Sequence, residues 1–290
     1  MPPTRQDRPV VLVTGASSGI GRATAVLFAR RGQHVVLCAR SADQLAETAE
    51  ACTATGAGGG VEVVVTDVSR SAEVDAAVDR ARERFGRLDT VINVAGITAY
   101  GRHVETPADT FDQVVAVNLI GAANVARASL RVFREQEAGT LVLVGSLLGR
   151  VAVPLMGAYV TSKWGLRGLV RVLQQENRDM PGVHVTTVSP GAVRTEIYDR
   201  ASSTGGRGGS PPPPTTSPEH VAVEIAAAVR RPGREHDVDA LGGAVNKALS
   251  TVFHGLPAVF DAAIGPLMRS FGTKGDRDDD EGNAFGSPRS

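Results

Sequence analysis

Val10-Val11-Leu12-Val13-Thr14-Gly15-Ala16-Ser17-Ser18-Gly19-Ile20-Gly21 is the stretch on which the fold turns. Its first four residues are apolar and mostly β-branched, the composition of a strand buried on both faces. Beyond Gly21 the period changes: Ala23, Val26, Leu27 and Arg30 recur at helical spacing. The glycines therefore occupy a strand-to-helix turn, the setting in which such a loop holds a pyrophosphate. Gly15 permits the tight turn, Gly19 lets the backbone approach phosphate, and Gly21 lets helix and strand pack closely. The helix N-terminus turns free N–H groups and a positive dipole end toward the phosphates.

The second strand reads His34-Val35-Val36-Leu37-Cys38-Ala39-Arg40. Folds that bind NAD place an acid at this strand end, where it takes the ribose 2′-hydroxyl. Here the position is Ala39, followed by Arg40 and Ser41. No carboxylate repels a 2′-phosphate, and the Arg40 guanidinium can hydrogen-bond one bidentately. The expected cofactor is NADP(H). NAD(H) is the alternative, with Arg40 then a solvated strand-end charge. Ser17 and Ser18 supply no second base in the glycine loop.

A second group of residues moves a proton. Tyr159 and Lys163 stand four apart in a run, Gly157 to Met180, whose Leu166, Leu169, Val170 and Leu173 form a helical apolar stripe. On a helix the two share one face. A free phenol, with a pKa of about 10, is a poor base at neutral pH; a neighbouring ammonium stabilises the phenolate. Ser146, thirteen positions ahead of the tyrosine, follows the strand Thr140-Leu141-Val142-Leu143-Val144. It thus sits at a strand's C-terminal end, where open α/β sheets bind ligands. Its hydroxyl could hold a substrate oxygen beside Tyr159.

With these motifs in this order, the chain resembles the short-chain dehydrogenase/reductase family over residues 8–241. The resemblance is carried by Thr14-Gly15-x-x-x-Gly19-x-Gly21, Asp67-Val68, Asn93-Val94-Ala95-Gly96 and Asn118 in Val117-Asn118-Leu119-Ile120-Gly121. Ser146, Tyr159, Lys163, Pro190-Gly191, Val193 and Thr195 complete it. It implies a Rossmann fold and a set of roles. Tyr159 would be the general acid/base. Lys163 would bind the nicotinamide ribose and lower the tyrosine pKa, Ser146 would orient the substrate oxygen, and Asn118 would hold a water in a proton relay. The cofactor would lie against Thr14, Gly15, Ser17, Ser18, Gly19, Ile20, Gly21, Arg40 and Ser41, with Asp67 and Val68 flanking the adenine. Asn93, Ala95, Gly96 and, at the nicotinamide end, Pro190, Gly191, Val193 and Thr195 would complete its site. One position departs from the family: Val94 replaces the second asparagine, which is expected to loosen a backbone contact near the cofactor. The family also implies a homodimer or homotetramer built on the helices around 107–136 and 157–179.

Composition bounds the rest. A chain of 290 residues with zero net charge fits one large α/β domain and gives no reason to expect nucleic acid. Strands alternating with helices near 19–31, 42–55, 71–85, 107–136 and 157–179 give a doubly wound parallel sheet. Cys38 and Cys52 form no metal or redox spacing, so a reducing cytoplasm is expected. The six histidines show no ligand spacing, and no metal is expected. His103 is either a loop residue or part of the cleft. Asp109 and Asp112 read as helix-start acids. Met1 to Pro9 is polar, and the apolar run after it is too short for a signal peptide or membrane span.

Residues 201–218 are rich in Gly, Ser and Pro and are expected to be mobile, either a lid over the substrate or a plain linker. Ser217-Pro218-Glu219 opens another helix. Residues 242–271 form a helical extension. Val245, Leu249, Val252, Phe253 and Leu256 share one face, and Phe260, Ile264, Leu267 and Met268 share another after Pro257. Three readings compete for it: packing on the body or a partner subunit, a cover for the substrate cleft, and peripheral membrane contact. Residues 272–290 read as a solvated, disordered tail. The expected activity is interconversion of a ketone or aldehyde and an alcohol on an apolar small molecule. A non-catalytic cofactor-binding regulator and a sugar-nucleotide epimerase or dehydratase are the rival readings.

Overall fold

The computed structural model describes residues 8–203, 209–271 and 284. In chain order the first half comprises β1 (Val10–Thr14), α1 (Gly19–Arg30), β2 (His34–Ala39), α2 (Ala42–Thr53), β3 (Val61–Val65), α3 (Ser71–Phe85), β4 (Thr90–Asn93) and β5 (Ala99–Tyr100). Next come α4 (Ala108–Val115), α5 (Gly121–Gln136), β6 (Gly139–Val144), α6 (Gly157–Glu176) and β7 (Val183–Pro190). The chain continues through β8 (Ser202–Ser203), α7 (Pro218–Arg230), β9 (Glu235–Val238), α8 (Ala244–Gly255) and α9 (Pro257–Phe271).

Seven strands form one parallel sheet in the order β3-β2-β1-β4-β6-β7-β9. Successive side chains of β1 feed opposite layers, as a strand's two-residue period requires. Val11 and Val13 join Phe28, Ile92, Val142 and Ile225 beneath α1 and α7. Val10 and Leu12 join Val91, Val125, Phe133, Leu141 and Leu166 beneath α3, α5 and α6. Both faces are therefore sealed, which explains the uninterrupted apolar strands. The order reverses between β1 and β4, and such a switch point opens a crevice at the carboxyl ends of the strands.

The structure refines three sequence expectations. The helix expected over 107–136 is continuous from Ala108 to Gln136 but contains a π-helical turn, Ala116–Ile120, between α4 and α5. A π turn places one extra residue in the helix and frequently marks a functional position; here it contains Asn118. The segment expected to be mobile includes buried and strand-paired residues where it is described. Ala201, Ser202 and Ser203 are buried, and β8 pairs with β5. Ser210 and Pro212 to Pro214 wall a cavity. Fixed proline φ angles lower the entropic cost of ordering such a segment without a core of its own. Residues 204–208 lie outside the described residues. In the tail, Ala284 is buried and its carbonyl accepts from Arg40 Nη1 at 3.4 Å, so at that point the tail is not solvated. The rest of 272–290 and residues 1–7 lie outside the described residues. Among those described, one helix, Ala108–Gln136, has the length and apolarity to cross a membrane, but 61% of its most apolar window is buried inside the protein.

Candidate active site

The glycine loop caps the crevice between β1 and β4. Gly15 adopts φ +66°, and a Cβ there would stand 2.8 Å from the Ala95 nitrogen. At Gly21 a Cβ would fall 2.0 Å from the Gly15 carbonyl, so only glycine lets α1 begin this close under the loop. Behind the loop, Thr14 Oγ1 donates to Asn93 Oδ1 at 2.7 Å and accepts from the Ala95 nitrogen at 3.3 Å. This pair ties the ends of β1 and β4 together.

An elongated cavity runs along this edge. Of the residues expected to hold a dinucleotide, Gly15, Ser17, Ser18, Gly19, Ile20, Arg40, Ser41, Asp67, Val68, Ala95, Gly96 and Thr195 line it. An adjoining cavity is lined by Ile20, Gly96, Ser146, Tyr159, Lys163, Pro190, Gly191, Val193 and Thr195. Thr14, Gly21 and Asn93 line neither; they shape the wall from behind. Val94, the departure from the family pattern, lines both. The loop's backbone turn and open groove fit an extended dinucleotide. Asp67 is held by its neighbours, Oδ1 accepting from the Ser69 nitrogen at 2.9 Å and from Ser69 Oγ at 2.7 Å.

Sequence reasoning missed Gln44, Thr66, Glu196, Ile197 and Arg200 in the longer cavity. Gln44 sits in the first turn of α2, and its Oε1 accepts from Arg200 Nη1 at 3.4 Å. No local motif announces either residue; a search confined to the glycine loop and the end of β2 could not find Arg200.

Ser146, Tyr159 and Lys163 meet where the smaller cavity joins a third, apolar one. Ser146 caps a short 3₁₀ turn, its Oγ accepting from the Leu148 nitrogen at 3.1 Å, and it also hydrogen-bonds Tyr159. Burial pushes the Tyr159 phenol above its ordinary pKa, and the Ser146 hydrogen bond opposes that shift. Lys163 is buried, donates to the Val144 carbonyl at 3.0 Å, and lies 5.6 Å from the Tyr159 ring centroid. Its ammonium is pushed down to about 8 by burial. In this chain desolvation governs both groups.

Asn118 stands behind them, 1% exposed. Its Nδ2 donates to the Ile97 carbonyl at 2.9 Å and to Ser162 Oγ at 3.0 Å, and its Oδ1 accepts from the Ile97 nitrogen at 2.8 Å. Ser162 in turn donates to the Tyr159 carbonyl at 2.7 Å. Both amide hydrogens of Asn118 are thus committed to positioning the Ile97 turn and the start of α6.

The third cavity opens beside Tyr159 and Ser146. Leu147, Leu148, Val151, Val153 and Met156 form its inner wall; Ile197, Tyr198 and the prolines 212–214 form one flank. Val245 and Leu249 of α8, with Phe260, Ile264, Leu267 and Met268 of α9, form the other. The helical extension therefore lines this cavity. On α8 the buried position is polar, Asn246, rather than one of the expected apolar residues. Leu256 and Leu267 remain 58% and 43% exposed. The three tyrosines of the chain, Tyr100, Tyr159 and Tyr198, all line the cavity, and burial raises the pKa of each. His103 lies elsewhere, edge-on to Phe111, as a loop residue.

The family model for short chain dehydrogenases matches residues 9–205. An uncharacterized oxidoreductase of Thermotoga maritima is 37% identical over 187 residues, 64% of this chain and 72% of its own. Among solved structures, an alcohol dehydrogenase from the archaeon Thermococcus sibiricus, complexed with 5-hydroxy-NADP, superposes with a TM-score of 0.71 at 30% identity. That match covers 81% of this chain and 97% of the other. A short chain dehydrogenase/reductase from Burkholderia phymatum, in complex with NAD, gives a TM-score of 0.76 at 28% identity, covering 89% and 96%.

Proposed function

The chain belongs to the short chain dehydrogenase family, and from that premise we propose that it is an NADP(H)-dependent oxidoreductase interconverting a ketone or aldehyde and an alcohol on an apolar substrate. One observation carries the reading: Tyr159 and Ser146 line both the cavity that continues the dinucleotide groove and the apolar cavity beside it. A reacting carbonyl placed at that junction touches the proton donor and faces the cofactor groove at once. When bound, the nicotinamide supplies the hydride for reduction and takes it up in oxidation.

The chain's own residues do the rest. The Ser146 hydroxyl holds the substrate oxygen beside the phenol. In reduction, Tyr159 transfers its proton to that oxygen; in oxidation, the phenolate removes it. Lys163, on the same helical face, stabilises the phenolate and lies within the cavity where the nicotinamide ribose would rest. Asn118 and Ser162 fix the start of α6 and with it the aim of Tyr159. Preference for NADP(H) rests on Ala39 and Arg40 at the end of β2, both lining the groove. The apolar walls, with α8 and α9 as cover, favour a hydrophobic ketone over a charged sugar. Exposed Ile120 of the π turn and Val172 of α6 support self-association through this helical face.

The test is reduction of a ketone panel with NADPH and with NADH. Apolar ketones turned over with NADPH, and lost in Tyr159→Phe, are the expected result. A strict preference for phosphorylated or charged sugars would overturn the substrate reading.

A further inference from the structure

The end of β2 offers a 2′-phosphate one guanidinium, Arg40, and the glycine loop adds no second base. The folded chain brings one from far away. Arg200, 160 positions beyond Arg40, lines the same groove together with Ser41 and Gln44. Its Nη1 reaches Gln44 Oε1 at 3.4 Å, which sets the guanidinium over the first turn of α2. Ser41 is the N-cap of that helix, and Arg40 immediately precedes it. Two guanidiniums, a serine and a helix N-terminus of twelve residues thus flank one stretch of groove. Among the described residues Arg200 forms no ion pair with a carboxylate; the side-chain partner described for it is the neutral amide of Gln44. The acids lining the groove stand at other points. Asp67 is tied to Ser69, and Glu196 Oε2 lies 3.4 Å from where a Cβ on Gly19 would be, beside the glycine loop.

Arg200 also belongs to a segment with a second duty. Thr195, Ile197 and Tyr198, two to five residues before it, line the cavity at the nicotinamide end. Ile197 and Tyr198 also line the apolar cavity. A single turn holds the group together: the Arg200 nitrogen donates to the Glu196 carbonyl at 2.9 Å. An anchor at Arg200 therefore fixes the residues that face the substrate.

We propose that Arg200 and Arg40 together clasp the 2′-phosphate of NADP(H), and that this clasp anchors the 195–200 turn over the substrate cavity. The proposal rests on the oxidoreductase reading above. On it, cofactor choice is coupled to order at the substrate site: the 2′-phosphate changes not only affinity but the stability of the turn carrying Tyr198. Only a ligand with differential contacts can shift such an equilibrium, and NAD(H) lacks the group that would make them.

The test titrates the full chain with NADPH and NADH, followed by nicotinamide fluorescence, for the wild type, Arg40→Ala, Arg200→Ala and Arg200→Lys. Hydrogen exchange over 194–203 is measured at saturating NADP+ and NAD+. Arg200→Ala is expected to weaken NADPH binding ten- to a hundredfold and NADH binding less than threefold, with Arg200→Lys in between. Exchange protection of the turn should be greater with NADP+ than with NAD+, and Arg200→Ala should erase the difference. Equal loss for both nucleotides, or none, would overturn the clasp, as would equal protection. If Arg40→Ala abolishes NADPH preference and Arg200→Ala leaves it intact, this inference alone falls. If the wild type binds NADH as tightly as NADPH, the NADP(H) reading falls with it.

Discussion

Two regions meet at Tyr159, and they are built on different terms. The motif side, from the glycine loop to Lys163, sits on buried strand ends and is stitched by short polar contacts: Thr14 to Asn93, Asn118 to Ile97 and Ser162, Ser146 to Leu148. The cover side, from Ile197 through Pro214 to α8 and α9, presents mainly apolar side chains around one cavity and exposes part of its outer surface. Directional bonds fix atoms within a few tenths of an ångström, which proton transfer demands. Apolar contacts fix only a shape, which suffices to choose a substrate. On the proposed function, the difference predicts that proton transfer and substrate choice can be altered separately by mutation.

The sharpest way to break that comparison is Tyr159→Phe. If the motif side alone carries the chemistry, turnover falls by about a thousandfold or more while NADPH affinity changes little, because the ring and its packing remain. Steady-state rates beside a fluorescence titration decide it. Retained turnover would mean that Tyr198, from the cover side, or Tyr100 of β5 supplies the proton.

Arg150 tests how far the motif side depends on its strand-end scaffold. It follows the 3₁₀ turn capped by Ser146 and is 8% exposed. Its Nη2 pairs with Glu235 and Asp237 of β9, each at 2.6 Å. Arg150→Ala leaves Asp237 without its cation in a largely buried setting, and Glu235 with only Arg167, at 3.7 Å. The expected loss is about 3–5 kcal/mol, read from denaturant midpoints. An unchanged midpoint would show that β9 and the Ser146 turn hold without the ion pairs.

Much of the motif side was legible in the sequence because each of its parts has a local cause. The β1 strand, the glycine turn, the Ala39–Arg40 strand end and the Tyr159–Lys163 spacing each follow from residues a few positions apart. Asn118 was legible as a position but not as a geometry. The π turn that carries it packs on α6, a tertiary contact that no local propensity encodes. Arg200 and Gln44 were illegible because they become neighbours only when the 195–200 turn folds back over α2. The placement of Ser202, Ser203 and the prolines was illegible for a related reason: their composition suits a linker, yet Ser202 and Ser203 pair with β5 and the prolines share a cavity with Tyr100. The tail residue Ala284, buried beside Arg40, has no precursor signal in its glycine- and acid-rich surroundings.

The buried ammonium of Lys163 sharpens the contrast through pH. Its folded pKa is lowered from 10.5 to about 8 by burial. Between those values the unfolded chain holds a proton that the folded chain has released, so stability contributed by this site rises with pH across the window. Below about 8 the folded protein carries the full cost of a desolvated charge. Measured against Lys163→Met, wild-type stability should climb by about 3 kcal/mol from pH 8 to pH 10.5 and be flat below. Other groups cancel in the difference. A flat difference throughout would mean that the Val144 carbonyl alone suffices to keep the ammonium at its ordinary pKa.

Phe260 makes the smallest and most selective change. It is 4% exposed, lines the apolar cavity, and packs edge-on against Phe253 with centroids 5.1 Å apart. Phe260→Ala removes one panel of the cover and touches none of the polar stitches. For a bulky apolar ketone, KM should rise about tenfold with kcat nearly unchanged, because the lost contact is made equally in ground and transition states. For a ketone too small to reach α9, neither parameter should move. A fall in kcat for the small ketone would mean that the cover helps to aim Tyr159, and that shape and chemistry are coupled after all. A change confined to KM of the large substrate would leave the two regions as separable as their contacts suggest.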